Sequence, residues 1–575
     1  MRSPDLSRES LLLVTIDTLR PDRLGSYGYA LAETPHLDAL AEGGVRFAEV
    51  YSSVPLTLPS HATMFTGKEP FALGVRVNGV HFLPPSHRTL AALLGEQGFA
   101  TFAAVAAYVV TSKFGLAQGF DVYDDSLGTA DLFQDFDSEI PADRVIAKVE
   151  RWLERRRGED HRPFFAWVHL YDPHLPYAPP GELATRFRDR PYDGEIAFVD
   201  AQVGRLLEAF RARGLLESTL VVVTSDHGEA FGEHVEQGHG LLCYEEVLRV
   251  PLLFAAPGRI PAGHVVTERV RLVDLLPTLL ELLGVEPPPN LDGRSFASLL
   301  AGGRESRPRD VYFESMNGAE FKNWAPLQGI LVDRLKYIAL PRPELYDLGA
   351  DPHERRNLAS LRTAEAERLR RELRRLLPSA PEPADSRREL TGEDESRLRA
   401  LGYLSLSASS AGEPLDPKRG IVLEMELHAV RTSLEGGEVE LAWETLERLT
   451  AENPDLEMPE IVELRHELAA AQGDPEAALA VLRGGIATFP EVEPLRFKLA
   501  SYLVELERWD EAEAVGFALL EANPRMSQAL NLLGAIAERR EDLPAAIGFY
   551  ERGLELEPGS IPLRARLADT LARQD

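Results

Sequence analysis

The stretch LLLVTID, Leu11 to Asp17, is a nearly unbroken apolar run closed by an acidic residue. A strand with no polar alternation is covered on both faces, the habit of a parallel sheet lying between helices. Two further runs have the same form: PFFAWVHL (163–170), followed by Tyr171-Asp172, and TLVVVTS (219–225), followed by Asp226. From Leu11 to about Pro289 such runs alternate with helical segments, so the pattern predicts an α/β fold, a mostly parallel sheet sandwiched by helices. Ligands of open α/β sheets bind outside the carboxyl ends of the strands. Asp17, Asp172 and Asp226 all fall there.

Length and composition narrow the reading. A chain of 575 residues exceeds one hydrophobic core, and 44% apolar content marks it as globular. With 92 acidic against 62 basic side chains the net charge is −30, which disfavours nucleic acid as a partner. Cys243 is the single cysteine, so an intrachain disulfide framework is excluded. The longest apolar run, Phe99–Val110, falls far short of the roughly 20 residues of a spanning helix. No membrane span is expected. The chain as written reads as soluble and cytoplasmic, or as periplasmic or extracellular if a leader has been removed.

The turn TLPSHATMFTG, Thr57 to Gly67, reads as a helix start and stop. Pro59 suits a first turn, where its missing N–H costs nothing, and Gly67 suits the position just past the last turn. Thr57 then stands at a helix N-terminus, where free N–H groups and the helix dipole attract an anion such as an ester. Alone, such a threonine is an N-cap. It is joined by Asp17 at the end of one strand and by Asp226 and His227, in SDHGE, at the end of another. Two carboxylates and an imidazole converging on a hydroxyl form a site for zinc or manganese more than an all-oxygen calcium cage. A bound cation lowers the pKa of a coordinated water from 15.7 to about 7, and a ligated hydroxyl benefits similarly.

These residues carry a resemblance. DTLRPDRLGSYGY…TPHLDALAEGGVRFAEVYSS, the turn TLPSHATMFTG, YDPHLPY, SDHGEAFGEH…YEEVLRVPLL and the closing ELYDLGADPHERRNL resemble a sulfatase, a branch of the alkaline phosphatase superfamily, over about Leu11–Leu358. The resemblance implies a metal-dependent hydrolase that attacks sulfate or phosphate esters through a covalent enzyme intermediate. Formylglycine sulfatases begin from a cysteine or serine in the pattern C/S-x-P-S-R; the matching positions are Thr57 and, in place of the arginine, His61. Threonine cannot form that aldehyde, so no formylglycine is expected. The usual Asp-Asn pair of the calcium site reads Asp226-His227. A threonine nucleophile beside an Asp-His pair is similar to phosphoester-cleaving branches such as nucleotide pyrophosphatase/phosphodiesterases and phosphoethanolamine transferases, and His239 in GEHVEQGHG matches a further histidine of the latter.

The resemblance also implies roles for His174, as a contact to the ester anion, and for Asp172, as a second-metal ligand or as the group that orients His174. Lys113, in TSKFGLAQGFD, falls near a substrate lysine of sulfatases, although Gly115 replaces the histidine of that motif. Arg76 and Asn78, in GVRVNG, are candidate substrate contacts, with a structural salt bridge as the alternative for the arginine. One or two divalent ions are expected. The first would be held by Asp17, Thr57, Asp226 and His227, and a second by some combination of Asp172, His174 and His239. The leading reading is a phosphate-ester hydrolase; a true sulfatase, and a phospho-alcohol transferase or scaffold presenting the C-terminal region, are the alternatives.

Asp310–Leu358 reads as a small antiparallel subdomain. Beyond it, LPSAPEPADS and LSLSASSAGEPLDP have linker composition. Pro490, Pro524 and Pro558 then recur every 34 residues, with a poorer copy at Pro454. Leu530, Leu533, Gly534, Ala537, Ala546, Tyr550 and Gly553 occupy the small and apolar positions of a tetratricopeptide helix pair, with Ala478 and Ala512 repeating the position of Ala546. The expected organisation is a catalytic domain over 8–376, a Pro/Ser/Ala-rich linker over 377–419, and an all-α tetratricopeptide solenoid over 420–575 that binds a protein partner or serves as a spacer or dimerisation element.

Overall fold

The computed structural model describes residues 3–7, 9–127, 139–156, 162–377, 386–388, 414–453, 458–557 and 560–574, in two compact units. The first is built on eight strands: β1 (Ser10–Ile16), β2 (Val45–Phe47), β3 (Ala100–Ala104), β4 (Val122–Asp124), β5 (Phe164–Leu170), β6 (Thr219–Thr224), β7 (Leu252–Ala255) and β8 (His264–Val266). They lie in the order β8-β2-β7-β6-β1-β5-β3-β4. Only β7 runs against its two neighbours; the other pairings are parallel. Every residue of β1, β5 and β6 is buried, as their unbroken apolar runs require.

Register explains how both faces are covered. Ala103 pairs with Trp167 and Phe102 with Ala166, so Trp167 and Phe102 point to opposite faces. Helix α1 (Thr57–Thr66) lies on the Trp167 side, where Phe65 meets the indole edge to face at 4.7 Å. Helix α2 (Ala142–Arg155) lies on the other, stacking Trp152 on Phe102 at 4.4 Å, and α3 (Pro191–Arg211) packs beside it. Because β1 sits between β5 and β6, the carboxyl ends of these strands are adjacent, and Asp17, the Tyr171–His174 turn and Asp226 emerge side by side.

A four-stranded antiparallel meander follows: β9 (Val311–Ser315), β10 (Leu327–Val332), β11 (Leu335–Ala339) and β12 (Glu344–Asp347). Helix α4 (Thr363–Leu376) closes it, packing Leu369 and Leu373 in one cluster with Ile330, Tyr337 and Leu345. This is the antiparallel subdomain that the sequence predicts at Asp310–Leu358.

In the second unit, helices pair as Pro459–Ala471 with Pro475–Thr488, Glu493–Glu505 with Trp509–Ala522, and Ser527–Arg539 with Leu543–Leu556. Ala478, Ala512 and Ala546, the repeated small position, are each fully buried. Pro454, Pro558 and most of the linker, 378–385 and 389–413, lie outside the described residues. Among the described residues no helix is long and apolar enough to cross a membrane. A Cβ at Gly534 would stand 2.3 Å from the ring of Tyr550, so the two helices of that pair approach as closely as they do only because the residue has no side chain. Gly534→Val should therefore cost roughly 2 kcal/mol or more. The expected outcome is an earlier helical melting transition by circular dichroism with small-ester hydrolysis unchanged; an unaltered melt would rule out this packing.

Candidate active site

Helix α1 begins at Thr57 with Leu56 as its N-cap, and Gly67 ends it in the left-handed conformation at φ 65°. The Thr57 hydroxyl caps no backbone group of this helix. Its partner is His227, with Oγ1 3.5 Å from Nε2, and the N–H of Leu58 is taken instead by Asn78 Oδ1 at 2.9 Å. The same His227 Nε2 stands 3.5 Å from Asp17 Oδ1 and 3.5 Å from Asp226 Oδ2. Donors held about 2.1 Å from a tetrahedral ion are about 3.4 Å apart, so these are the edge lengths of a metal polyhedron rather than hydrogen bonds. The side chains of Asp17, Asp226 and His227 are all but completely buried, and both oxygens of Asp17 and Oδ2 of Asp226 have no hydrogen-bond partner. The donor set fits a divalent cation.

Electrostatics lead the same way. Burial, then Asp226 and Glu229, push the Asp17 carboxyl well above its ordinary range, and burial raises Asp226 as well. A cation between them removes the penalty of two adjacent buried carboxylates. Burial lowers His227 to about 3 and His174 to about 3, His239 adding to both, and lowers His239 itself to about 4. All three are neutral imidazoles with a lone pair to offer. Each also turns the same nitrogen away. His227 Nδ1 donates to the Gly228 carbonyl at 3.0 Å, His174 Nδ1 to that of Leu175 at 2.7 Å, and His239 Nδ1 to Glu229 Oε1 at 3.0 Å. Nε2 is left for the site, and that of His174 is buried without a partner. The His239 ring lies 4.4 Å from that of His227 and 5.0 Å from that of His174.

The turn after β1 is strained. Thr18, a β-branched residue, has φ 53°, a conformation that costs of order 1–3 kcal/mol. Its hydroxyl donates to the Pro173 carbonyl and its own carbonyl accepts from Tyr192 at 2.7 Å. These contacts fix Asp17 against the Tyr171–His174 turn, whose backbone is held by buried Glu195 through the N–H groups of His174 and Ala178.

Some expectations need correction. The Asp172 carboxylate accepts through Oδ2 from the N–H of Ala142 at 2.8 Å, at the start of α2, and belongs to neither candidate metal group among the described residues. The Arg76 guanidinium is locked in a bidentate pair with buried Glu314, at 2.8 and 2.6 Å, and so is the structural salt bridge. Lys113 is exposed, its ammonium over the Tyr108 ring at 5.4 Å. Asn78, by contrast, is completely buried beside Thr57, with Nδ2 unpartnered.

Two residues escaped sequence reasoning, and a third, His61, was placed by it without a role. Glu229 closes SDHGE and orients His239. His169, a lone polar residue in buried β5, sets Nε2 3.7 Å from Asp17 Oδ2. His61, where formylglycine sulfatases have arginine, donates from Nδ1 to the Thr57 carbonyl at 2.7 Å while Nε2 accepts from Thr15, whose oxygen in turn accepts from Trp167 Nε1. His61 also forms a second candidate metal group with His169 and Asp226. Both its nitrogens are already engaged, so it is a brace for α1. A histidine inside an apolar strand and a carboxylate three residues after Asp226 were the available signals.

Two buried carboxylates, an imidazole and a hydroxyl at a helix N-terminus, on the carboxyl edge of a mostly parallel sheet, define a class of metal-dependent ester hydrolase. The sulfatase family profile matches residues 9–285, the C-terminal profile of N-sulphoglucosamine sulphohydrolase matches 232–380, and a tetratricopeptide repeat profile matches 497–561. The chain is 31% identical to human arylsulfatase A over 360 residues, 53% of this chain and 70% of that protein. It is 27% identical to the ulvan-active sulfatase of Formosa agariphila over 416 residues, 64% of this chain and 80% of the relative. Among solved structures, the phosphonate monoester hydrolase of Agrobacterium radiobacter shares the fold, with TM-score 0.53 and 24% identity over 64% of this chain and 96% of that one. The chain belongs to the sulfatase family, with tetratricopeptide repeats at its C-terminal end. The sequence ranks phosphate esters first; these sulfatase relatives favour the sulfate ester that it ranks second.

Removing the cation should expose the carboxylate clash. Chelator-treated wild type should melt below the metal-loaded protein, and Asp17→Asn, which relieves the repulsion, should bind less metal yet melt at or above the chelated wild type. Equal melting with and without metal would count against the site. Arg76→Ala should cost about 3–5 kcal/mol by stranding buried Glu314, with Arg76→Leu/Glu314→Leu regaining most of it and leaving KM for a small ester unchanged. A raised KM in the double variant would return Arg76 to the substrate.

Proposed function

We propose that the chain is a divalent-metal-dependent hydrolase of sulfate esters in which Thr57 Oγ1 is the nucleophile and is transiently esterified. The observation that carries this reading is the position of Oγ1, at the N-terminus of α1 and 3.5 Å from His227 Nε2, beside two carboxylates of whose four oxygens three have no hydrogen-bond partner. The cation would be held by Asp17, Asp226, His227 and Thr57, zinc or manganese being favoured by the imidazole. When bound, it supplies charge that lowers the pKa of the hydroxyl and balances the ester oxygens. The chain's own groups do the rest. Thr57 attacks in line and the Asn78 amide N–H donates to an ester oxygen, while His174 and His239 turn bare Nε2 atoms to the site as proton acceptors. No formylglycine is involved, because oxidation of a threonine gives a ketone. The substrate is an anionic ester, and the repeats bind a protein partner.

A second reading, a phosphate monoester, is favoured by one observation: His174 Nε2 is buried without a partner and its ring adjoins that of His239. A second cation there, without Asp172, would match a dianion. Purified protein assayed on aryl sulfate, aryl phosphate, phosphodiester and phosphonate esters should favour the sulfate by at least tenfold. Thr57→Ala should lose turnover by about 10³-fold or more while folding normally, and Thr57→Ser should keep a measurable part. Full activity in the alanine variant would end the nucleophile assignment. Two metal equivalents, falling to one in His239→Ala, together with preference for the phosphate, would replace the sulfate reading.

A further inference from the structure

A two-stranded hairpin, Ala230–Phe231 against Gln237–Gly238, pairs Ala230 with Gly238, so Glu229 and His239 face each other one step beyond the ladder. Gly238 and Gly240, at φ 90° and 102°, let the chain turn on either side of His239. The loop is pinned from inside by Glu236, which accepts the N–H groups of Leu241 and Leu242 at 2.7 and 3.0 Å. Glu229 is pinned too, its N–H donating to Glu246 and its carbonyl accepting from Arg20 at 2.9 Å. The Glu229 side chain is completely buried and that of His239 is 6% exposed. A carboxylate this rigid accepts from Nδ1–H and from nothing else on the ring, which leaves His239 Nε2 as a lone pair without a protein partner.

We infer that Glu229 is a positioning residue that holds His239 with Nε2 as the proton acceptor for the second half of the reaction, hydrolysis of the covalent ester. This rests on Thr57 being the nucleophile. In that step a water oxygen forms a bond to the central atom of the ester as the bond from that atom to Thr57 Oγ1 breaks, Oγ1 keeping the electron pair. His239 Nε2 takes one proton of the water and passes it to Oγ1, so the products are the hydrogen-bearing oxyanion and the free threonine. A histidine with Nε2 protonated and Nδ1 bare would present a donor where an acceptor is needed.

The test separates the two claims. In ¹⁵N-labelled full-length protein, long-range ¹⁵N–¹H correlation of His239 should report the Nδ1–H tautomer, shifting toward Nε2–H or a mixture in Glu229→Ala; an unchanged tautomer overturns the inference whatever Thr57 does. Glu229→Gln and Glu229→Ala should lower kcat by about 10–100-fold, raise the fraction of Thr57 trapped as the ester after rapid quench, and leave KM lower or unchanged. Glu229→Asp should recover part of the rate. Glu229→Ala in a His239→Ala background should add less than about twofold, because the two act as one unit; additive losses overturn the inference. Failure to trap an ester on Thr57 in wild type and in every variant counts against the nucleophile reading.

Discussion

The structure depends on two carboxylates, Asp17 and Asp226, that are buried within reach of one imidazole nitrogen and hydrogen-bond through three of their four oxygens to nothing inside the protein. Leaving one charged group unpaired in a protein interior costs several kcal/mol, more than a large fraction of the whole stability of a domain. Two side by side cannot persist as anions without a counter-charge. A divalent cation supplies it at the distances the donors already keep. The packing around the site can then be read as scaffolding for that one electrostatic requirement. β1 and β6 are adjacent so that their carboxyl ends meet, α1 is braced through His61 on Thr15 and Trp167, and Thr18 is held in a conformation that its side chain resists.

The histidines belong to the same scaffold. A neutral imidazole has one donor and one acceptor, and which nitrogen faces a site is decided by what the other one touches. Here His227 and His174 are set by backbone carbonyls of the residue that follows each, and His239 by a side chain from the facing strand. The first two orientations are built into local chain geometry and need no second element. The third depends on the hairpin register, so it is the one that evolution or substitution can alter independently. Burial, which lowers all three below the ordinary histidine range, keeps their lone pairs available at neutral pH.

How far this was legible in the sequence follows from what each feature depends on. β1, β5 and β6 were readable because a strand covered on both faces must be apolar throughout, and the 34-residue period because each helix pair repeats the same small position, as at Ala478, Ala512 and Ala546. Asp17, Thr57, Asp226 and His227 were readable as strand-end and helix-start residues. Arg76 and Asp172 were left with alternatives because a charged residue near a site has the same sequence appearance whether it faces the ligand or a buried partner; Glu314 is 238 residues from Arg76 and the N–H of Ala142 is 30 from Asp172. Glu229 and His169 were missed for the complementary reason. Their meaning lies in a cross-strand pairing and in a parallel register, neither of which leaves a local pattern.

Charge bears on the choice between ester classes. One divalent cation would balance Asp17 and Asp226 and leave little positive charge to spare, in a chain whose net charge is −30. The attraction for an anion then comes from weaker sources: the positive end of α1, worth about half a unit charge, and the Asn78 amide. Such a field suits a singly charged ester, whose one negative charge is spread over three oxygens. A dianion would carry an additional charge into a low-dielectric pocket that neither of the candidate substrate cations meets, since Arg76 is paired with Glu314 and Lys113 lies over Tyr108 at the surface. Only a second cation at His174 and His239 would change that balance. The single-ion site and the sulfate ester therefore support each other, and the phosphate reading needs both a second ion and a ligand set reduced by the loss of Asp172.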